Sequence, residues 1–102
     1  METGESMTLK RKDYTIHYIK PCTVEKGKKM AKIRLKNPPA GICNKLKKTF
    51  SDAKCFPNLG VTRIERGRKQ IIIFQNGEIV IRSAENEKDV IKTADAILKA
   101  LK

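Results

Sequence analysis

The residues of this chain whose number and placing suggest chemistry are its cations. Lys and Arg number 23 against 11 Asp and Glu, a formal net charge of +12. The excess is uneven: residues 8–48 hold 13 Lys or Arg against Asp13 and Glu25, whereas residues 49–102 hold ten against seven acids. Potentials of neighbouring charges add, so a chain this lopsided draws in polyanions and speeds its encounter with them. Charge alone does not choose between DNA, RNA and an acidic protein, and a well-solvated lysine-rich surface is the plainer alternative.

Covalent and metal chemistry have less to work with. The three cysteines, Cys22, Cys43 and Cys55, are widely spaced and odd in number, which argues against a disulfide framework and leaves buried or idle thiols as the expectation. There is no CxxC pair and the single histidine is His17, whereas a zinc site ordinarily brings two ligands within a few residues of each other. His17 has no carboxylate at a recognisable catalytic spacing. Gly67 and Gly77 are isolated turn glycines rather than parts of a phosphate-cradling loop or a nucleophile elbow. Cys22, in a lysine-rich loop where positive charge would lower its pKa, is the one conceivable nucleophile. The expectation is a protein without enzymatic activity, metal or cofactor.

The elements that must position the cations follow from periodicity. A leader over residues 1–12, with Lys10-Arg11-Lys12 as a basic arm, precedes a single domain over 13–102. From Asp13 the pattern alternates, Tyr14, Ile16 and Tyr18 against Thr15, His17 and Ile19, which predicts a strand ended by Pro21. A second strand places Ala31, Ile33 and Leu35 on one face and the cations Lys32, Arg34 and Lys36 on the other, and the two are expected to pair as a hairpin. Asn37-Pro38-Pro39-Ala40-Gly41 breaks the chain before a helix whose stripe is Ile42, Leu46 and Phe50, extended by Ala53. Phe56 to Gly60 reads as irregular. Three strands then form a meander, with Gly67 marking the first turn and Asn76-Gly77 a type I′ signal at the second. The middle strand, Gln70 to Phe74, is apolar on both faces. A last helix starts at Asn86 as cap with Asp89 completing a box-like start, and buries Val90, Ala94, Ile97, Leu98 and Leu101. The order β-β-α-β-β-β-α predicts an α+β fold, an antiparallel sheet with both helices on one face and the other face open.

Phe56-Pro57-Asn58-Leu59, the run Ile73-Phe74-Gln75-Asn76-Gly77-Glu78-Ile79-Val80, and the helix start Asn86-Glu87-Lys88-Asp89 together resemble one repeat of the TATA-box-binding protein family, in its archaeal form. The resemblance spans roughly residues 31–102. It implies a curved antiparallel sheet with helices on its convex side and a concave face that lies in the DNA minor groove, where paired phenylalanines wedge between base steps. On that resemblance Phe56 and Phe74 match the wedge positions, and Ile72 and Val80 match apolar positions of the concave face. This chain has Glu78 where the family has lysine after the turn glycine, Arg82 at a small threonine position, and Gly60 as an added residue. It carries one repeat where the family uses two, so a full saddle implies a homodimer.

The expected function is therefore a small basic nucleic-acid-binding module, with duplex DNA favoured over RNA. Its expected contacts are Lys32, Arg34, Lys36, Phe56, Arg63, Arg66, Arg68, Lys69, Phe74 and Arg82, the cations touching phosphate. The alternative is an interaction module whose apolar sheet face builds a homodimer or docks a larger partner. For the phenylalanines, core packing is the competing role. No stretch nears the roughly 18 consecutive apolar residues that span a bilayer, and the N-terminus lacks the apolar core of a secretory signal, so no membrane partner and a cytoplasmic location are expected.

Overall fold

A computed structural model describes residues 9–10, 13–22 and 26–101. Along the chain run β1 (Leu9–Lys10), β2 (Tyr14–Pro21), β3 (Lys29–Leu35), α1 (Ile42–Thr49), β4 (Ala53–Phe56), β5 (Val61–Arg66), β6 (Lys69–Phe74), β7 (Glu78–Ala84) and α2 (Glu87–Leu101). The strands form one seven-stranded sheet in the order β1-β2-β3-β7-β6-β5-β4, and each neighbouring pair is antiparallel. The fold is thus α+β, with an antiparallel sheet and two helices, as the periodicity implies.

One face of the sheet makes the core. Ile16, Ile33, Ile79 and Ile73 follow one another across β2, β3, β7 and β6. A second row runs Ala31, Ile81, Ile71, Ile64 and Ala53. β-Branched isoleucine suits these positions because its stiff side chain packs well on a pleated surface. Against the rows lie Ile42 and Leu46 of α1 and Val90, Ala94, Ile97 and Leu101 of α2, all buried. The buried Tyr14 ring places its hydroxyl 2.7 Å from the Asp95 carboxylate, which it donates to, tying β2 to α2.

Several local expectations are corrected. The alternation of β2 does not run unbroken: the register shifts between Ile16 and Tyr18. This bulge at His17 turns Tyr18 away from the core and brings Ile19 into it beside Tyr14 and Ile16. A bulge inserts one residue and so reverses the parity of all that follows. The first helix ends at Thr49, not at Ala53, because Phe50 is extended (φ −113°, ψ 108°) and a tight turn returns the Ala53 amide to the Phe50 carbonyl at 3.1 Å. Ala53 therefore opens β4, a strand in the stretch that reads as helix end and irregular loop. Leu9–Lys10 of the leader pairs with Ile16 and Thr15 as β1, while Arg11 and Lys12 of the basic arm lie outside the described residues.

The Asn76-Gly77 hairpin is present but is not type I′, since Ser83 is the one non-glycine among the described residues with positive φ. Instead the Gly77 amide donates to the Phe74 carbonyl at 3.0 Å, and Asn76 Oδ1 accepts from the Glu78 amide at 2.9 Å. Gly77 alone takes positive φ (96°), as in a three-residue loop closed by a glycine bulge. A Cβ there would meet Pro38 at 3.1 Å and the Leu35 carbonyl at 3.3 Å, so glycine also lets the turn seat against the end of β3. At the far end of β7 the pairing with β3 slips a residue, and Ser83 adopts φ 61°, a second bulge in the same sheet.

The final helix starts as its sequence predicts. Asn86 Oδ1 accepts from the Asp89 amide at 2.8 Å, and Asp89 Oδ2 accepts from the Glu85 amide at 2.9 Å.

Candidate nucleic-acid interface

Alternation that seals isoleucines on one face must present their neighbours on the other. Tyr18, Lys32, Val80, Ile72, Arg63 and Lys54 stand in register across β2, β3, β7, β6, β5 and β4. A parallel row carries Phe74, Val61 and Phe56 on β6, β5 and β4. Met30 stands beside Lys20, Arg34 beside Glu78, and Arg82, Gln70 and Glu65 form the last row. No helix covers this side. Its apolar members Val61, Ile72, Phe74, Val80 and Phe56 are half-buried by their neighbours alone.

Phe56 and Phe74 lie in one row with Val61 between them. They are two strand spacings apart, about 9–10 Å, and both face away from the core. Beyond Phe56, the turn Pro57-Asn58-Leu59-Gly60 is closed by the Leu59 amide on the Phe56 carbonyl at 3.0 Å. It pushes Leu59 into solvent at 72% exposure, the most exposed large apolar side chain among the described residues.

The cations of this face differ in how far they are engaged. Lys32 pairs with Glu78 at 3.2 Å, and Arg63 lies 3.8 Å from Glu65 while covering the Phe56 ring at 5.6 Å. Lys20 sits 4.6 Å above the Tyr18 ring. Arg34, Lys54 and Arg82 have no hydrogen bond or ion pair among the described residues. Exposed ion pairs of this kind contribute little and exchange readily, so the paired cations remain open to a stronger anion.

Of the residues expected from the sequence, Lys32, Arg34, Phe56, Arg63, Phe74 and Arg82 are brought together here, with Ile72 and Val80 among them. Four others are not. Lys36 lies just beyond β3, its amide bound to the Asp13 carbonyl at 3.0 Å. Arg68 is exposed in the β5–β6 turn. Arg66 and Lys69 share the parity of the buried Ile64 and Ile71 and so belong to the helix side. Arg66 pairs with Asp52 at 3.3 Å and covers the Phe50 ring at 4.9 Å. Lys69 donates to Asp89 at 2.8 Å and to the Thr93 hydroxyl at 2.9 Å. Partial burial disfavours the charged form of Asp89. The hydrogen bonds from Lys69 and the Glu85 amide, with the charges of Lys69 and Lys92, more than offset this and hold the carboxyl below its ordinary value.

Sequence reading misses Tyr18, Lys20, Lys54, Val61 and Leu59. The first two depend on the bulge at His17. The alternation of Ala53, Lys54 and Cys55 was a usable strand signal, hidden by a helical stripe running into it.

The cysteines also depart from expectation. Cys43 of α1 and Cys55 of β4 form a disulfide with their Cα atoms 5.8 Å apart, while Cys22 is buried. An odd count with wide spacing does not preclude one bridge, since the sheet brings together positions that sequence distance separates. Among the described residues no three His, Cys, Asp or Glu gather as metal ligands would, and no helix is long and apolar enough to cross a membrane.

No family model, curated protein or solved structure matches this chain, so the open face carries the functional reading on its own geometry.

Proposed function

We propose that the open face of the sheet binds nucleic acid, duplex DNA in preference to RNA, with cations on phosphate and apolar side chains against the bases or sugars. The observation that carries the reading is the mixture on one uncovered face: Phe56, Val61, Phe74, Ile72 and Val80 stand among Lys20, Lys32, Arg34, Lys54, Arg63 and Arg82, opposed by Glu65 and Glu78. A purely solvated surface has no use for the apolar row, and a purely apolar interface gains nothing from so many like charges. The resemblance to a TATA-box-binding repeat adds a mode to this reading: Phe56 and Phe74 wedge between base steps and bend the duplex.

Phosphate contact displaces condensed counterions, so affinity falls with salt. With Lys20, Arg34, Lys54 and Arg82 on phosphates, the slope of log K against log salt should be about −3 to −4. Fluorescence anisotropy with labelled duplex DNA and single-stranded RNA at two salt concentrations tests this. Tighter, steeply salt-dependent binding of the duplex is expected; no binding of either at low salt would end the nucleic-acid reading.

A second reading has one observation of its own. Leu59 stands 72% exposed in the turn after Phe56, next to the half-buried phenylalanine row, and an exposed apolar patch commonly marks a protein interface. On that reading the face pairs with a second copy or another protein; sedimentation separates it from a free monomer, and an absence of salt-dependent duplex binding separates it from the first reading.

A further inference from the structure

A cavity of about 380 Å³ opens at the start of α1, lined by Pro39, Ile42, Pro57 and Val61 together with Cys43 and Cys55. Both sulfur-bearing residues are half-buried and form part of its wall. The bond they share is the covalent tie between α1 and β4. β4 needs such a tie. It is an edge strand of four residues, paired on one side only, with β5, and Ala53 is the one member that is buried. An edge strand with so little buried apolar surface belongs to the readily opened part of a fold.

We propose that the Cys43–Cys55 disulfide is a reducible clasp: a dithiol entering the cavity opens it and releases β4, and with it the position of Phe56. The dithiol attacks as a thiolate on one cysteine sulfur, the Sγ–Sγ bond breaks, and the other cysteine leaves as a thiolate that takes up a proton. The second thiol of the reductant then attacks the mixed disulfide, frees the remaining cysteine and closes its own disulfide. Two electrons and two protons pass from the dithiol to the protein. Cys22 is buried away from the cavity lining, so it does not compete for the exchange. The bridged residues are 12 apart in the chain, and losing a crosslink over a loop of that size shifts an opening equilibrium on the order of 100-fold.

Ala53 is the only residue that β4 gives to the core cluster, so β2, β3, β6 and β7 keep nearly all of their packing when the bridge opens. For the open face the consequence is loss of the Phe56 end of the phenylalanine row, and Arg63, which covers the Phe56 ring, loses its platform. This consequence, though not the clasp itself, rests on the nucleic-acid reading.

Amide hydrogen exchange on the oxidised protein and after dithiothreitol tests the clasp. The β4 amides paired to β5 should exchange on the order of 100-fold faster after reduction, with Ile71–Ile73 within about twofold. The C43S/C55S variant should show the fast β4 exchange with or without dithiothreitol. β4 amides equally slow in both states would overturn the proposal, as would an acceleration spread evenly through β6 and β7. Should the double variant fail to fold, the two wild-type measurements decide alone. Duplex affinity on the same oxidised and reduced samples should fall several-fold on reduction. If neither sample binds, the DNA reading is lost while the exchange data still decide the clasp.

Discussion

The two faces of one sheet are built from the same strands and often from adjacent residues, yet they serve opposite ends. Ile73 and Ile79 are register partners sealed beneath the helices at 1% and 0% exposure, while the next residues, Ile72 and Val80, are also partners and face solvent between cations. Nothing in the side chains of Ile72 and Ile73 distinguishes them. What differs is the company each keeps: helices on one side, Lys32, Arg63 and Arg82 on the other. An apolar residue stabilises a fold by the water it escapes, so the uncovered isoleucine contributes little until a ligand covers it. The same contrast holds for charge. Lys69 and Arg66 are held by Asp89 and Asp52 on the helix side, whereas Arg34 and Arg82 have no such anion among the described residues.

The sharpest way to break this comparison is to truncate matched residues. Ile79→Ala should cost about 2–5 kcal/mol, the range for a buried isoleucine, whereas Ile72→Ala should cost about 1 kcal/mol or less. Urea denaturation of the two variants reads both values, and equal losses would mean that the open face is covered in the free protein.

Next in size is the charge contrast. Arg34→Gln with Arg82→Gln should weaken duplex binding and lower the salt slope by about 2, and leave the melting temperature near that of the parent. Arg66→Gln should leave the slope unchanged and lower stability slightly through its Asp52 and Phe50 contacts. A reversed pattern in salt-titrated anisotropy would move the binding surface to the helix side.

The smallest effect concerns Asp89. A carboxylate whose pKa is lower folded than unfolded contributes stability above the unfolded value and loses it as pH falls through the folded one. Asp89 is held below its ordinary 3.8, so the stability difference between the parent and Asp89→Asn should shrink as pH drops from about 5 to about 2. Denaturant midpoints across that range measure it. A difference independent of pH would show that the Lys69 contact is not what stabilises this corner.

How much of this was legible beforehand depended on whether a residue's fate was local. The β3 alternation, the capped start of α2 and the strands of the meander from Val61 to Arg82 rest on period and turn signals within a few residues, and those emerge as expected, though the Asn76-Gly77 turn is not the type I′ its residues suggest. The open face follows from them, since a middle strand apolar on both sides must present one side somewhere. Illegible were the features decided by tertiary fit. A bulge at His17 leaves no mark in the alternation of Tyr14 to Ile19, because an isoleucine and a tyrosine suit either parity. β4 was hidden because Ala53 continues the stripe of Ile42, Leu46 and Phe50, and only the extended backbone at Phe50 reveals the stop. Arg66 and Lys69 look like any other cations in a basic hairpin until strand parity turns them toward Asp52 and Asp89. The disulfide depends on α1 lying over β4, a placement that no cysteine spacing encodes.

Methyl-resolved NMR during titration with a short duplex tests the central claim most directly, because it compares the two faces in one experiment. The account predicts that Ile72, Val80 and Val61 methyls shift in a saturable, salt-sensitive way while Ile73, Ile79 and Ile33 barely move. Shifts confined to α1 or α2, or none at duplex concentrations that saturate the anisotropy signal, would contradict it.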